Sequence, residues 1–345
     1  MIRFTSAICA LGAACLATAA ARAQSDTPPP EVLPGLVYDE RALAVAERAE
    51  TDLIIDTLLD GDDLARLTED LAANRPVETA SLRLQAASGS WTLGNTSIFA
   101  VPVFNTREDD VPGGDQETET RGLSAGAETK FDNGVRIGGT LSYLEQDFES
   151  PVQSTRTDRT TQAVSGYVSV PLNDALTARG GMTASWSDVE LARTVFGFDF
   201  DGDTEAAATA FFLDLAGRRR VGDWLLTSEA RLTRSDSEQD AYTESSGLQV
   251  AARDSVRTSA RIGAGAGRLM EVGSGRWLHA AAKLRWSEEL DGPDAGSSRE
   301  DVGAAIVSLN LLSRSGLTAG LTASRAFARD DAEDWKVSGS ARWRF

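Results

Sequence analysis

Cysteine is almost missing from this sequence, and the little there is lies at its start. Of 345 residues only Cys9 and Cys15 are cysteine, and His279 is the only histidine. Both cysteines fall in a leader with a basic start at Arg3, an apolar run over residues 4–21 and the small-residue site Ala21-Arg22-Ala23. That pattern is a secretory signal peptide, residues 1–23, which export through the general secretory pathway removes. The mature chain then has no thiol, so disulfides, cysteine nucleophiles and zinc sites of the Cys/His type are excluded. A lone histidine likewise excludes motifs that need two. After residue 24 no apolar run approaches the roughly 20 residues of a membrane-spanning helix. Positive charge is also in deficit. The chain carries 34 Lys and Arg against 52 Asp and Glu, a net charge of −18, which argues against a general nucleic-acid binder. If such a chain sits in a membrane, a closed β-barrel must put it there, because every backbone group in lipid needs a partner.

Three kinds of sequence follow the leader. Residues 24–38 hold Pro28, Pro29, Pro30 and Pro34 and read as a stiff, extended linker. Residues 39–76 change to helical spacing, with Leu43, Ala46, Leu53, Ile54, Leu58, Leu64, Leu67 and Leu71 recurring between charges. Two helices are expected, about 40–59 and 62–73, broken at Gly61 and closed by Asn74-Arg75-Pro76. Their balance is strongly acidic. From residue 77 to 345 the period becomes two.

Twelve alternating segments are expected, near 97–106, 120–131, 134–146, 159–171, 176–188, 205–219, 223–235, 256–270, 275–288, 301–314, 316–328 and 335–345. Short turn sequences such as Asp132-Asn133-Gly134 and Asn173-Asp174 join them at one end. Longer acidic stretches join them at the other: 107–120, 147–158, 189–204, 236–255, 290–300 and 329–334. Residues 80–87 also alternate, as an extra strand or a plug element. An even strand count with short turns on one side and long loops on the other is the outer-membrane pattern. The fold class is therefore all-β, an antiparallel transmembrane barrel of about 12 strands with an N-terminal helical segment.

The two faces differ in kind. One carries Leu123, Ile137, Leu141, Tyr143, Met182, Trp186, Leu226, Ile262, Leu284 and Leu321, and suits lipid. The other is basic and is expected to line the lumen: Lys130, Arg136, Arg179, Arg218, Arg231, Arg257, Arg261, Lys283, Arg285, Lys336, Arg342 and Arg344. Glu128, Asp214 and Glu229 stand on this face as partners for cross-bracing. Aromatics gather at strand ends, which suits interfacial girdles.

At this point the residues resemble a known family. The stretches Arg121-Gly-Leu-Ser-Ala-Gly-Ala-Glu-Thr-Lys-Phe-Asp-Asn-Gly-Val-Arg-Ile-Gly-Gly-Thr-Leu-Ser-Tyr143, Ser165-Gly-Tyr-Val-Ser-Val170 and Gly339-Ser-Ala-Arg-Trp-Arg-Phe345 resemble the translocator β-domain of autotransporters, or type V secretion proteins. The resemblance implies a twelve-stranded barrel in a Gram-negative outer membrane. It also implies a helix inside the lumen just ahead of the barrel, where the acidic segment stands. It makes Trp335, Trp343 and Phe345 a signal read by the outer-membrane barrel assembly machinery. Other implied partners are outer-membrane lipid and lipopolysaccharide around a monomeric barrel, with no cofactor. The expected role is translocator, channel or surface scaffold with little or no passenger, and not an enzyme. A soluble or surface-associated β-rich binding protein is the alternative, followed by a barrel hydrolase.

Four features carry candidate chemistry. The acidic helices match the basic lumen and are read as a plug, with a periplasmic arm or a self-associating segment as alternatives. His279 faces the lumen by parity with Trp277, Lys283 and Arg285, and a hydrolase would need a nucleophile and an orienting group beside it. Asp199, Asp201, Asp203 and Glu205 alternate along an extended stretch as a weak Ca²⁺ candidate. An EF-hand reading fails, because Thr204 and Ala210 stand where Gly and an acid are required. Last, rows of lumenal arginine select anions in some pores and simply solvate the lumen in others.

Overall fold

The computed structural model describes residues 51–59, 66, 84–86, 89–91, 96–111, 114–150, 154–195, 198–273, 275–292, 302–313, 317–327 and 332–344. Twelve strands close into one barrel: β1 (Thr96–Val111), β2 (Gly114–Lys130), β3 (Arg136–Ser150), β4 (Thr155–Pro171), β5 (Leu176–Val195), β6 (Phe198–Val221), β7 (Trp224–Gln239), β8 (Arg253–Gly273), β9 (Arg276–Asp291), β10 (Val302–Ser313), β11 (Leu317–Phe327) and β12 (Ala332–Arg344). Each strand pairs antiparallel with its chain neighbours, and β12 pairs back onto β1. Closure gives every strand of the barrel a hydrogen-bonded neighbour on both sides, which is what a lipid environment demands.

Alternation assigns the faces as expected. On β3, Ile137, Leu141 and Tyr143 are exposed to the outside while Arg136, Thr140 and Ser142 are buried within. Met182 and Trp186 on β5, Leu226 on β7, Ile262 on β8, Leu284 on β9 and Leu321 on β11 continue the outward apolar band. A band of this kind in water would be an aggregation hazard; in lipid it is the solvated surface.

The connections expected as short turns lie on the side where β1 begins and β12 ends. In the β2–β3 turn, Gly134 takes φ +82° and its N–H donates to the Phe131 carbonyl, 2.9 Å. In the β4–β5 turn, the Asn173 side chain accepts from the N–H groups of Ala175 and Leu176 at 2.9 and 3.0 Å.

The opposite rim departs from expectation. Residues 107–120, 147–158 and 189–204 read as loops in the sequence, yet most of them are strand. β1 runs to Val111, β3 to Ser150 and β5 to Val195, and β6 already starts at Phe198. Their acidic outward residues lie beyond the apolar band and face water, so the sequence shows no lipid-facing signature there. Their inward residues still pack: Val189 and Leu191 are buried. The wall is consequently tall at β5 and β6, with 20 and 24 residues, and low at β10 and β11, with 12 and 11. Residues 236–255 hold a small hairpin, Tyr242–Thr243 with Gln249–Val250, between β7 and β8. Of the alternating segment at 80–87, the described part, Leu84–Ala86, pairs with Gly89–Trp91 in a ladder separate from the barrel.

One helix is described ahead of the barrel, residues 51–59, and Arg66 is helical as well. The remainder of the two helices expected over 40–59 and 62–73, the signal peptide and the Pro-rich linker lie outside the described residues.

Candidate functional site: the lumenal helix and the cavity beneath it

The helix is buried on every side because it stands inside the barrel. Leu53 and Ile54 pack on Phe99, Val101 and Val103 of β1, Leu144 of β3 and Ala163 of β4. Ile55, Leu58 and Leu59 pack on Tyr167 of β4 and on Ala210 and Phe212 of β6. Five aliphatic side chains leave water, worth on the order of 10 kcal/mol before ordering costs are subtracted.

Room for the helix comes from glycines on the wall. The Tyr167 ring lies across Gly138, its cross-strand partner, and its hydroxyl donates to Glu128 on the strand beyond. Glu128 also accepts from Arg136 Nη1 at 2.7 Å. Phe212 folds over Gly181 in the same way; a Cβ there would stand 2.7 Å from its ring. Large inward side chains thus lie flat along the wall instead of filling the lumen.

The helix presents its charge to one side. Asp56 accepts from Arg231 Nη1 of β7 at 2.7 Å, Arg261 Nη1 of β8 at 2.8 Å and Arg285 Nη1 of β9 at 2.9 Å. Asp52, one turn earlier, pairs with Arg261 at 2.8 Å. The network continues along the wall. Asp214, which is 0% exposed, bridges Arg179 at 2.7 Å and Arg231 at 3.3 Å, and Glu229 takes Arg285 at 2.9 Å and Lys283. Five cations of the barrel wall in this network face only two carboxylates of the wall. The helix supplies the other two. Buried charges that lack partners cost several kcal/mol each, so helix and wall are electrostatically incomplete without one another.

The loop between β7 and β8 folds inward over the mouth on the tall side. Tyr242 packs with Val189, Leu191 and Ala206, over Gly202. Glu244 accepts from the buried Arg193 Nη2 at 2.5 Å, and the Ser245 N–H donates to the Asp201 carbonyl at 2.8 Å. Arg193 and this latch were not legible as lumenal, since residue 193 fell in an apparent loop.

Below the helix lies a cavity of about 650 Å³ that reaches the turns at Gly134 and Asn173. Lys130, Arg136, Arg179, Arg218, Lys283, Arg285 and His279 line it. Of the predicted lumenal cations, Arg231, Arg257 and Arg261 also point inward and are buried, Arg257 against Glu289 at 2.9 Å. Lys336, Arg342, Arg344, Trp335 and Trp343 have their backbone in β12, with side chains outside the description; Phe345 lies outside the described residues. His279 is 7% exposed, and among the described residues neither ring nitrogen has a hydrogen-bond partner. Among the described residues no hydroxyl or carboxylate is therefore engaged with it in the manner of a nucleophile–base pair.

Asp199, Asp201, Asp203 and Glu205 are exposed on the outer face of β6. They are strung along a strand rather than gathered about a point. Among the described residues no group of three or more His, Cys, Asp or Glu is placed to hold a metal ion. Glu190 stands directly opposite Asp203, and Asp188 opposite Glu205. Like charges facing across a ladder repel. Asp203→Asn is therefore expected to raise stability by about 0.2–1 kcal/mol at neutral pH, with no response to Ca²⁺. The midpoint of the heat-induced gel shift measures it. A Ca²⁺-dependent rise that Asp203→Asn abolishes would instead make these carboxylates a cation site.

A closed antiparallel barrel with an outward apolar band and a helix ion-paired inside its lumen is the architecture of an outer-membrane translocator. The family model described as Autotransporter beta-domain matches residues 103–330. The chain belongs to that family, and with it to the outer membrane of Gram-negative bacteria. Two solved structures share the fold. The β domain of the Bordetella autotransporter Brka aligns over 73% of this chain and 100% of its own, at 16% identity and a TM-score of 0.61. The translocator domain of autotransporter NalP from Neisseria meningitidis aligns over 86% and 99%, at 12% identity and a TM-score of 0.63. No curated protein matches the chain by sequence.

Proposed function

We propose that the barrel delivers the segment ahead of residue 51 to the cell surface and is then closed by the helix that remains in its lumen. The direction of the helix carries this reading. Asp52 meets Arg261, deep in the wall, whereas the Leu59 carbonyl reaches Arg179 at 3.5 Å and Arg66 donates to Ser169 Oγ at 2.5 Å. Arg179 and Ser169 lie close to the β4–β5 turn. The helix therefore runs from the loop side toward the turn side. Both ends of the barrel chain, at Thr96 and Arg344, also lie on the turn side. With turns in the periplasm, as in outer-membrane barrels, the chain before residue 51 points outward.

In this reading the protein reaches the periplasm through the general secretory pathway and is inserted by the barrel assembly machinery. It stands as a monomer in lipid and lipopolysaccharide. The barrel transports and anchors; it performs no bond chemistry of its own.

The scarcity of cysteine makes the test simple. With Cys9 and Cys15 in the predicted leader, Val37→Cys gives the mature protein a single thiol. A membrane-impermeant maleimide should label it in intact cells, and should label Asp174→Cys in a turn only after the outer membrane is permeabilised. Labelling of Val37→Cys that requires permeabilisation would reverse the proposed orientation.

A further inference from the structure

The outer face of the barrel changes character at the turn side of β6 to β9. Arg219 lies near the end of β6, Trp224 opens β7, Arg268 lies near the end of β8 and Arg276 opens β9. By alternation all four share the outward face with Leu213 of β6, Leu226 of β7, Ile262 of β8 and Leu284 of β9, and all four are exposed. Trp224 pairs directly with Arg268, and Arg219 with Leu226, the next outward residue of β7. Trp224 and Leu226 thus stand between Arg219 and Arg268, whose strands are two spacings apart, about 10 Å.

The protein does not answer these cations. Arg268 comes no nearer than 3.9 Å to Asp223, and both side chains are more than half exposed. Among the described residues Arg219 and Arg276 enter no hydrogen bond or ion pair. Glu271 alternates to the other face of β8. At the opposite rim outward arginines are paired: Arg121 meets Glu145 and Asp147 at 3.2 Å, and Arg156 meets Asp158 at 3.0 Å. An unanswered basic sector runs against the composition of a chain with net charge −18. Arginine at a membrane boundary can simply reach water. Here the wall beside it is also shaped. Ala264 and Ala266 of β8 lie next to Ala280 and Ala282 of β9, a low strip between the exposed Leu226 of β7 and Val307 of β10. Cations at one end and an apolar strip leading away from them match a phosphate with acyl chains below it.

We propose that this sector is a binding site for an anionic glycerophospholipid in the leaflet on the turn side. Arg219 and Arg268 hold its phosphate beside Trp224, and its acyl chains lie on the alanine strip. Arg276, nearer the turn, meets the rest of the headgroup. Guanidinium presents paired N–H donors that fit phosphate oxygens. A tryptophan at this level sits where aromatic girdles meet headgroups. With turns in the periplasm, the lipid belongs to the periplasmic leaflet. The site is on the outer wall, away from the lumen and its helix, so its test stands whether or not the barrel delivers a segment to the surface.

Native mass spectrometry of the full-length protein in a neutral detergent, titrated with lipid, reads the binding directly. Phosphatidylglycerol should bind at least about tenfold more tightly than phosphatidylcholine, whose choline repels the three arginines. A basic residue beside anionic lipid is worth about fivefold in affinity, so Arg219→Gln/Arg268→Gln should weaken phosphatidylglycerol roughly 25-fold, and Arg276→Gln about fivefold. Arg121→Gln/Arg156→Gln removes the same charge from the opposite rim and should bind as the parent does. Arg268→Lys should keep most of the affinity. Inorganic phosphate at the concentration of the lipid should not displace it, because it has nothing to lay on the strip. All the positions are exposed, and the heat-induced gel shift verifies that each variant folds. The proposal is overturned if phosphatidylcholine binds as tightly as phosphatidylglycerol, or if Arg219→Gln/Arg268→Gln binds as the parent does. It is equally overturned if the opposite-rim variant loses as much, or if inorganic phosphate displaces the lipid and the arginines are a free-anion site only.

Discussion

Asp56→Ala should open the barrel and loosen it at once. Its carboxylate accepts from three guanidinium groups on β7, β8 and β9. Removing one partner of a buried ion pair costs about 3–5 kcal/mol, because the other partner stays buried. The lower end of that range applies here. Arg231 keeps Asp214 and Arg285 keeps Glu229, while Arg261 retains Asp52 and a bond to Ser287 Oγ at 3.1 Å. The midpoint of the heat-induced gel shift should fall. In planar bilayers the variant should conduct more than the parent, since its helix keeps its packing and the Asp52–Arg261 pair but loses its contacts to β7 and β9, and deletion of residues 39–76 should conduct more still. Equal conductance and an unchanged midpoint in Asp56→Ala would mean that the network does not hold the helix. Asp56→Asn keeps the shape and removes the charge, so it should behave like the alanine variant.

Gly138→Val should damage the opposite wall by about 3–5 kcal/mol, through two effects. Glu128, Gly138 and Tyr167 form one row across β2, β3 and β4, and the tyrosine reaches over the glycine to the carboxylate. A Cβ at 138 would meet Tyr167 Cζ at 2.9 Å and press still closer on the ring edge. The ring must then swing toward Ile55 and Leu58, and the bond to Glu128 is lost. Overpacking accounts for about 1–3 kcal/mol and the bond to a charged group for about 1.5–3 kcal/mol. The double variant Gly138→Val/Tyr167→Ala separates them. Without the ring there is nothing to overpack, so the double variant should lose less than the two single losses added. Strict additivity in urea-unfolding midpoints would show that the ring and the glycine do not interact.

Strand number and face were legible in the sequence because alternation is local. Ile137, Leu141 and Tyr143 mark one side of β3 without any knowledge of its neighbours. Strand ends were less legible. Beyond the lipid both faces of a strand accept polar residues, so Asp199 to Glu205 resembled a loop although it pairs residue by residue with β5. The acidic character of the helix and the basic character of the lumen could be read, and so could their match. The particular partners could not, because Asp56 and Arg285 are 229 positions apart and meet only through barrel closure. The glycine-over-ring arrangement was hidden for the same reason: nothing in the order of residues says that Gly138 lies between Glu128 and Tyr167.

Closure itself carries one further consequence. The β12–β1 ladder pairs Ser338 with Val103 and next Ala341 with Ala100, passing over Gly339 and Ser340 opposite Pro102 and Val101. Proline has no N–H to give and glycine has no side chain to pack, so this junction is thinned in both bonding and bulk. It also joins the two most distant strands of the wall, and such a contact pays its loop-closure entropy before any bond rewards it. The barrel is thus a cylinder with a zip. Eleven junctions form between strands adjacent in the chain, and the twelfth fastens only when both ends of the wall have come round to meet.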